Sequence, residues 1–199
     1  MRSSVEVTRQ RLLDAAGVVL ARDGLDKFAL RNVTAEAQVN VAMVKYAFGS
    51  KMALLHALLD HHLANVIQER SRRIAELVAS GSYDVLDLTR AFIEPLLELH
   101  SSYGELFFDI VFKPTPSEEL MSLRRTSIDH FAPSVAMYLD ALQPLLPGRT
   151  REVLRSRVTF QLGAVGAFSA AHMHPTGTPS NGTRAELLAC LAAMMQVMA

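Results

Sequence analysis

Residues 35–51 read AEAQVNVAMVKYAFGSK, and this stretch decides the fold. A short helix ends near Ala37, and Gln38-Val39 make a tight turn. Asn40 is a helix-capping residue type, because its side-chain oxygen accepts from a backbone N–H of the first turn. It opens a second short helix, Val41 to Phe48, which Gly49-Ser50-Lys51 stops before starting a third. Two short helices joined this tightly, with a basic residue on the outer face of the second, form a helix-turn-helix. At about 100° per residue, Val41, Val44 and Phe48 form an inward stripe with Ala47 beside it. Ala42, Met43, Lys45 and Tyr46 face outward. That face suits a major groove. Ala42 permits close approach, Ala or Met meets a thymine methyl, Lys45 bonds guanine edges or phosphate, and the Tyr46 hydroxyl reaches a phosphate. Arg9, Asn40 and Lys51 sit at helix starts, where backbone N–H groups also favour phosphate.

Outward from this stretch nearly everything has helical spacing. A first helix covers Thr8 to Arg22, with Leu13, Ala16 and Leu20 on one face and Gly24 as its stop. Leu30 to Ala37 is the second, with Leu30, Val33 and Ala37 aligned. A long helix starts at Ser50-Lys51 and continues to Val78, and its charged part, Gln68–Glu76, is expected to be a solvated face. Further helices are expected at Tyr83–His100, Tyr103–Phe112, Ser117–Leu142, Arg149–Met173 and Thr183–Val197, separated by turn-rich or Pro-containing breaks. Pro95 and Pro133 fall inside helical patterns, so each predicts a kink or local break. Strand-like alternation is nowhere sustained. The expectation is an all-α chain of about nine helices. Residues 1–51 form a three-helix DNA-binding unit carrying the start of the fourth helix, and residues 52–199 form a helical bundle.

Bulk properties narrow the class. The 199 residues are half hydrophobic, enough for a sizeable core, with 20 basic and 20 acidic side chains. The balance is uneven along the chain. Residues 1–51 carry eight Lys/Arg against five Asp/Glu, a net of +3, and the remainder is −3. The positive end coincides with the helix-turn-helix, the sign a phosphate surface needs. The single cysteine, Cys190, rules out a disulfide within the chain, fits a reducing cytoplasm, and is expected in the core. Charged and apolar residues alternate through Glu6, Arg9 and Arg11, unlike a signal peptide. The longest apolar run, Leu187–Met195, is nine residues, against ~20 needed to span a bilayer.

The N-terminal residues resemble the DNA-binding domain of the TetR family of bacterial transcription regulators. The resemblance covers about residues 8–59. It rests on TRQRLLDAA (8–16), Gly24, LRNV (30–33), VNVA (39–42), KYAFGSK (45–51) and ALL (53–55). The phrase from Tyr46 to Lys51 is specific, because the family often shows Tyr-His-Phe-Gly-Ser-Lys there. Three departures stand out. Ala47 replaces the common His, Gln38 replaces the usual small residue of the turn, and Ala29 replaces the usual Ser/Thr cap, a loss of ~1 kcal/mol. The resemblance implies a cytoplasmic, nucleoid-associated, dimeric, ligand-responsive regulator. It implies a repressor released from a palindromic double-stranded operator by a small, largely apolar effector, with no cofactor, no metal, no catalytic residues and no membrane partner. It also implies an effector-binding, dimerising C-terminal domain.

The residues of that second half give partial support. Gly163, Gly166, Ala167 and Ala170 are small enough for close helix approach. Leu187, Leu191 and Met194 belong to a last helix that is apolar nearly all round and must be buried. Together they suggest a four-helix homodimer interface. Phe92, His100, Tyr103, Phe107, Phe108, Phe131 and Met137 are candidates for an apolar effector pocket with a few polar handles. Each is equally an ordinary core or surface residue. Two other readings stay open: a helical interaction module without DNA, and a small helical enzyme or metalloprotein. For the last, His61-His62 diverge on a helix, and His172-x-His174 lacks a partner to complete a site.

Overall fold

The residues on either side of the quoted stretch set the N-terminal packing. In the computed structural model, which describes residues 4–103, 117–172 and 181–197, α1 is Ser4–Asp23, α2 is Leu30–Glu36 and α3 is Val41–Phe48. The long α4 is Lys51–Ser80, and α5 is Val85–Tyr103. Then come α6 (Glu118–Leu142), α7 (Arg151–His172) and α8 (Asn181–Gln196). These eight helices are the only regular elements among the described residues. The expected helix at Tyr103–Phe112 falls, beyond Tyr103, outside them. The expected kink or break at Pro95 and Pro133 is not a break, since α5 and α6 each run through their proline.

Each start and stop follows from local chemistry. Asn40 caps α3 by accepting from the Ala42 N–H at 2.9 Å. Gly49, at φ 83°, ends α3, and its N–H donates to the Lys45 carbonyl. Ser50 then caps α4 by accepting from the Ala53 N–H at 3.0 Å. Ala29 makes no side-chain cap for α2, as its sequence predicts.

The core is continuous. Leu12, Ala16 and Val19 of α1 pack with Val33 of α2, Ala37 just after it, Val44 of α3, and Leu54, Leu55 and Leu58 of α4. The same cluster runs on through α5 and α6 to Leu191 and Met195 of α8. The spine is α4, which packs most extensively on α6 and α5 and also meets α1 and α3. Its buried stripe is Leu54, Leu55, Leu58, Leu59, Leu63, Val66, Arg70 and Ile74.

That stripe corrects one expectation. The charged run at Gln68–Glu76 is not solvated throughout, because Arg70 is 1% exposed. Seven residues after Leu63 and four before Ile74, it lies on the helix face that the fold buries. Its neighbours behave as expected. Arg72 pairs with Glu69 and Glu76 on the surface, and Arg73 bridges Glu69 to Glu94 and Glu98 of α5.

Candidate nucleic-acid interface and regulatory core

Short hydrogen bonds hold α3 against α1. Arg9 Nη1 donates to the Ala47 carbonyl at 2.9 Å, and its guanidinium lies 4.3 Å from the Phe48 ring centre. Arg11 Nη2 donates to the Ala37 carbonyl, at the end of α2, at 2.8 Å. Cations favour helix C-termini, where carbonyls are left over. Two α1 arginines therefore clamp the ends of both helix-turn-helix helices. Sequence reasoning assigned Arg9 to phosphate and Arg11 to nothing. The i, i+2 spacing of two arginines before the motif was the available signal.

The outer face of α3 largely matches the helical wheel. Ala42 and Lys45 are exposed, and Tyr46 is 71% exposed rather than packed on α1. Met43 is half-buried against the core, so it reaches outward less than expected. Val41, placed inward by the wheel, is instead 50% exposed. It sits in the first turn of α3, before Met43 and Val44, the first α3 residues packed in or against the core. Asn40 is exposed at the cap. Lys51 is exposed too, with Nζ 5.5 Å from the Phe28 ring centre. Ala47 is half-buried. The turn between the helices carries strain: Gln38 adopts φ 53°, the left-handed region that glycine tolerates best.

The C-terminal half contains a buried polar cluster. Tyr138 of α6 stacks on Phe92 of α5 at 4.3 Å. Its hydroxyl contacts Thr89 Oγ1 at 3.0 Å and the Gln161 side chain at 3.4 Å. Gln161 Nε2 donates to the Leu191 carbonyl at 2.8 Å. This chain ties α5, α6, α7 and α8 together. Burial pushes the Tyr138 phenol up, so it stays neutral. Beside it, Arg70 Nε donates to the Phe92 carbonyl at 2.5 Å. The Arg70 guanidinium lies 4.1 Å from the Phe92 ring centre and 4.9 Å from that of Phe131. Two predicted pocket residues, Phe92 and Phe131, thus come together around a cation that the sequence reading left on the surface. Met137 is half-buried against the same core. His100 and Tyr103 have side chains outside the described set, and Phe107 and Phe108 lie outside the described residues. A half-open cleft of about 370 Å³ between α5 and α8 is lined by Arg90, Glu94, Glu98, Arg184 and Leu188.

Of the predicted interface residues, Gly163 and Ala167 are exposed on α7, and an added Cβ at Gly163 would meet nothing within 4 Å. Gly166 and Leu191 are buried inside the chain itself, which removes them from any outer face. Leu187 and Met194 are half-buried, and the Ala170 side chain is outside the described set. Phe160, not among them, is 64% exposed between Val153 and Gly163 on the same α7 face. Cys190, expected in the core, is exposed, because α8 turns Leu188, Leu191, Ala192 and Met195 inward. Among the described residues, no group of three His, Cys, Asp or Glu is placed to share a metal ion. Nor is any helix among them long and apolar enough to cross a membrane.

Comparison with known proteins agrees with this geometry. A stretch of the chain is 38% identical over 85 residues to the HTH-type nicotine-responsive transcriptional repressor HdnoR of Paenarthrobacter nicotinovorans, covering 43% of this chain and 41% of that protein. Another is 34% identical over 68 residues to the HTH-type transcriptional regulator BetI of Paraburkholderia xenovorans strain LB400, covering 34% and 35%. Each match therefore spans less than half of the relative's length. Over whole chains the fold is similar to a mutant of HlyIIR, with TM-score 0.54, 16% identity, and 98% and 100% coverage. It is also similar to the multidrug binding protein EbrR complexed with imidazole, with TM-score 0.51, 20% identity, and 96% coverage of both chains. The model for bacterial regulatory proteins of the tetR family matches residues 12–58, and that for the tetracyclin repressor-like C-terminal domain matches residues 90–199. Together these two models cover most of the chain, which belongs to the tetR family of bacterial regulatory proteins.

Proposed function

We propose that this chain is a dimeric, ligand-responsive transcriptional repressor of the bacterial cytoplasm and nucleoid, with residues 1–51 reading DNA and residues 52–199 binding an effector and a second copy. The observation that carries the reading is the exposed face of α3, where Ala42, Lys45 and Tyr46 project from a helix clamped by Arg9 and capped by Asn40. Lys45, with exposed Lys51 and Arg31, supplies charge for the phosphate backbone. The single charge on the groove face leaves base readout to the Ala42 methyl and the Tyr46 ring. Arg9 acts through orientation rather than by touching phosphate. On α7 the exposed stripe Val153, Phe160, Gly163 and Ala167 offers a close-packing face for a second copy. Two α3 helices then meet a palindrome in major grooves ~34–36 Å apart, or near a multiple of that. The compound in the name of HdnoR is not carried over to this chain.

Selection of bound duplexes from a random pool tests the reading. A palindromic consensus is expected, with Lys45→Glu weakening binding at least tenfold. An interaction module without DNA would select no consensus, and that result would sink the proposal.

A further inference from the structure

Arg70 is the least comfortable group in the core. It is 1% exposed, and its Nη2 has no hydrogen-bond partner. Among the described residues no carboxylate pairs with it. Glu69, the adjacent acid on α4, is bound to Arg72 and Arg73, and Glu94 and Glu98 of α5 are bound to Arg73. The guanidinium has one backbone acceptor and two aromatic faces, which leaves a desolvated cation half-satisfied. Burial pulls its pKa down to about 9, so it remains protonated at neutral pH. The neighbouring hydroxyl, Tyr138, already serves Thr89 and Gln161.

We propose that Arg70 is the anchor of the effector site and that the effector is an aromatic or apolar carboxylate. The carboxylate accepts from the open Nη2 edge of the guanidinium, and its apolar body lies against the half-buried Phe131. A charge-assisted bond to a planar guanidinium fork is the strong form of this interaction. Phe92 is sealed at 0% exposure, whereas Phe131 is half-buried, so entry is from the Phe131 side. The incoming anion exchanges the 4.9 Å cation–ring contact with Phe131 for an ion pair. That exchange shifts α6 relative to α4, whose first residue follows the Ser50 cap directly behind the DNA-reading helix. A cationic amine is disfavoured, because it would face an unneutralised buried charge.

The proposal rests on the regulator reading above, and its test needs no DNA. Binding of benzoate, phenylacetate and 2-naphthoate to the purified protein is measured by calorimetry and thermal shift. The matching amides and amines are measured alongside. The expected result is at least a tenfold preference for carboxylate over amide, or about 1.4 kcal/mol. Arg70→Met and Arg70→Gln should each remove that preference, and Arg184→Gln, in the cleft between α5 and α8, should keep it. If neither Arg70 variant folds, the Arg70 Nε–H resonance of the wild type decides. It must shift with carboxylate and stay still with amide. Equal binding of amides, failure of every carboxylate to bind, a preference that survives in Arg70→Met, or loss in Arg184→Gln alone each overturns the anchor. Operator selection without carboxylate preference refutes only this inference. Carboxylate preference without operator selection supports it and refutes only the regulator reading.

Discussion

Acid should loosen the seam between α1 and α4, through His62. This half-buried side chain lies on α4, near Asp14 of α1 and edge-on to His61, with ring centres 5.4 Å apart. Burial, helped by His61 and opposed by Asp14, lowers its pKa from 6.5 to about 4. The folded state thus resists protonation that the unfolded chain accepts. A lowered histidine contributes stability fully above 6.5 and loses it as the pH falls from there towards about 4. At full strength the linkage removes about 1.8 kcal/mol between pH 7 and pH 5. Water contact at a half-buried ring screens this to roughly 1 kcal/mol. Urea unfolding of wild type and His62→Gln at both pH values isolates the contribution. Wild type should lose about 1 kcal/mol more than the variant. Equal losses would refute the assignment, because His62 would then titrate alike in both states.

Three further outcomes follow from the packing. Gly49→Ala should destabilise by ~1–2 kcal/mol in urea, because its φ is 83° while an added Cβ meets nothing within 4 Å. A value near zero would show that the connection to α4 relaxes. Gln38→Gly should stabilise by about 0.5 kcal/mol, the relief of left-handed strain less the entropy of glycine, read as a higher urea midpoint. Tyr138→Phe should lose about 1 kcal/mol and Gln161→Leu more, because the latter removes both the contact with Tyr138 and the donor to the Leu191 carbonyl. The reverse order by thermal unfolding would contradict the network.

Helix existence, type and approximate bounds were legible in the sequence because they depend on local signals. Gly49, Ser50 and Asn40 each act on backbone within one turn of themselves, and each does in the fold what its chemistry predicts. The outward placement of Ala42, Lys45 and Tyr46 was legible for the same reason, since one helical period suffices to place them. Val41 failed because a wheel gives direction but not how far the neighbouring helices extend. Arg9 and Arg11 failed because their partners, the carbonyls of Ala47 and Ala37, are 38 and 26 residues away. Leu191 and Cys190 exchanged expected places because an all-apolar helix carries no signal for which side meets its own chain. Arg70 is the sharpest case. Its position on the Leu63–Val66–Ile74 stripe was readable, yet a charged run is normally a solvated one. Only the packing of α5 and α6 on α4 decided that this cation is enclosed between two phenyl rings. The sequence by itself determined which segments are helical and which face of α3 is turned outward, because those properties are written in neighbouring residues. The tertiary structure alone decided which charges are buried and what they face, because desolvation depends on elements far apart in the chain.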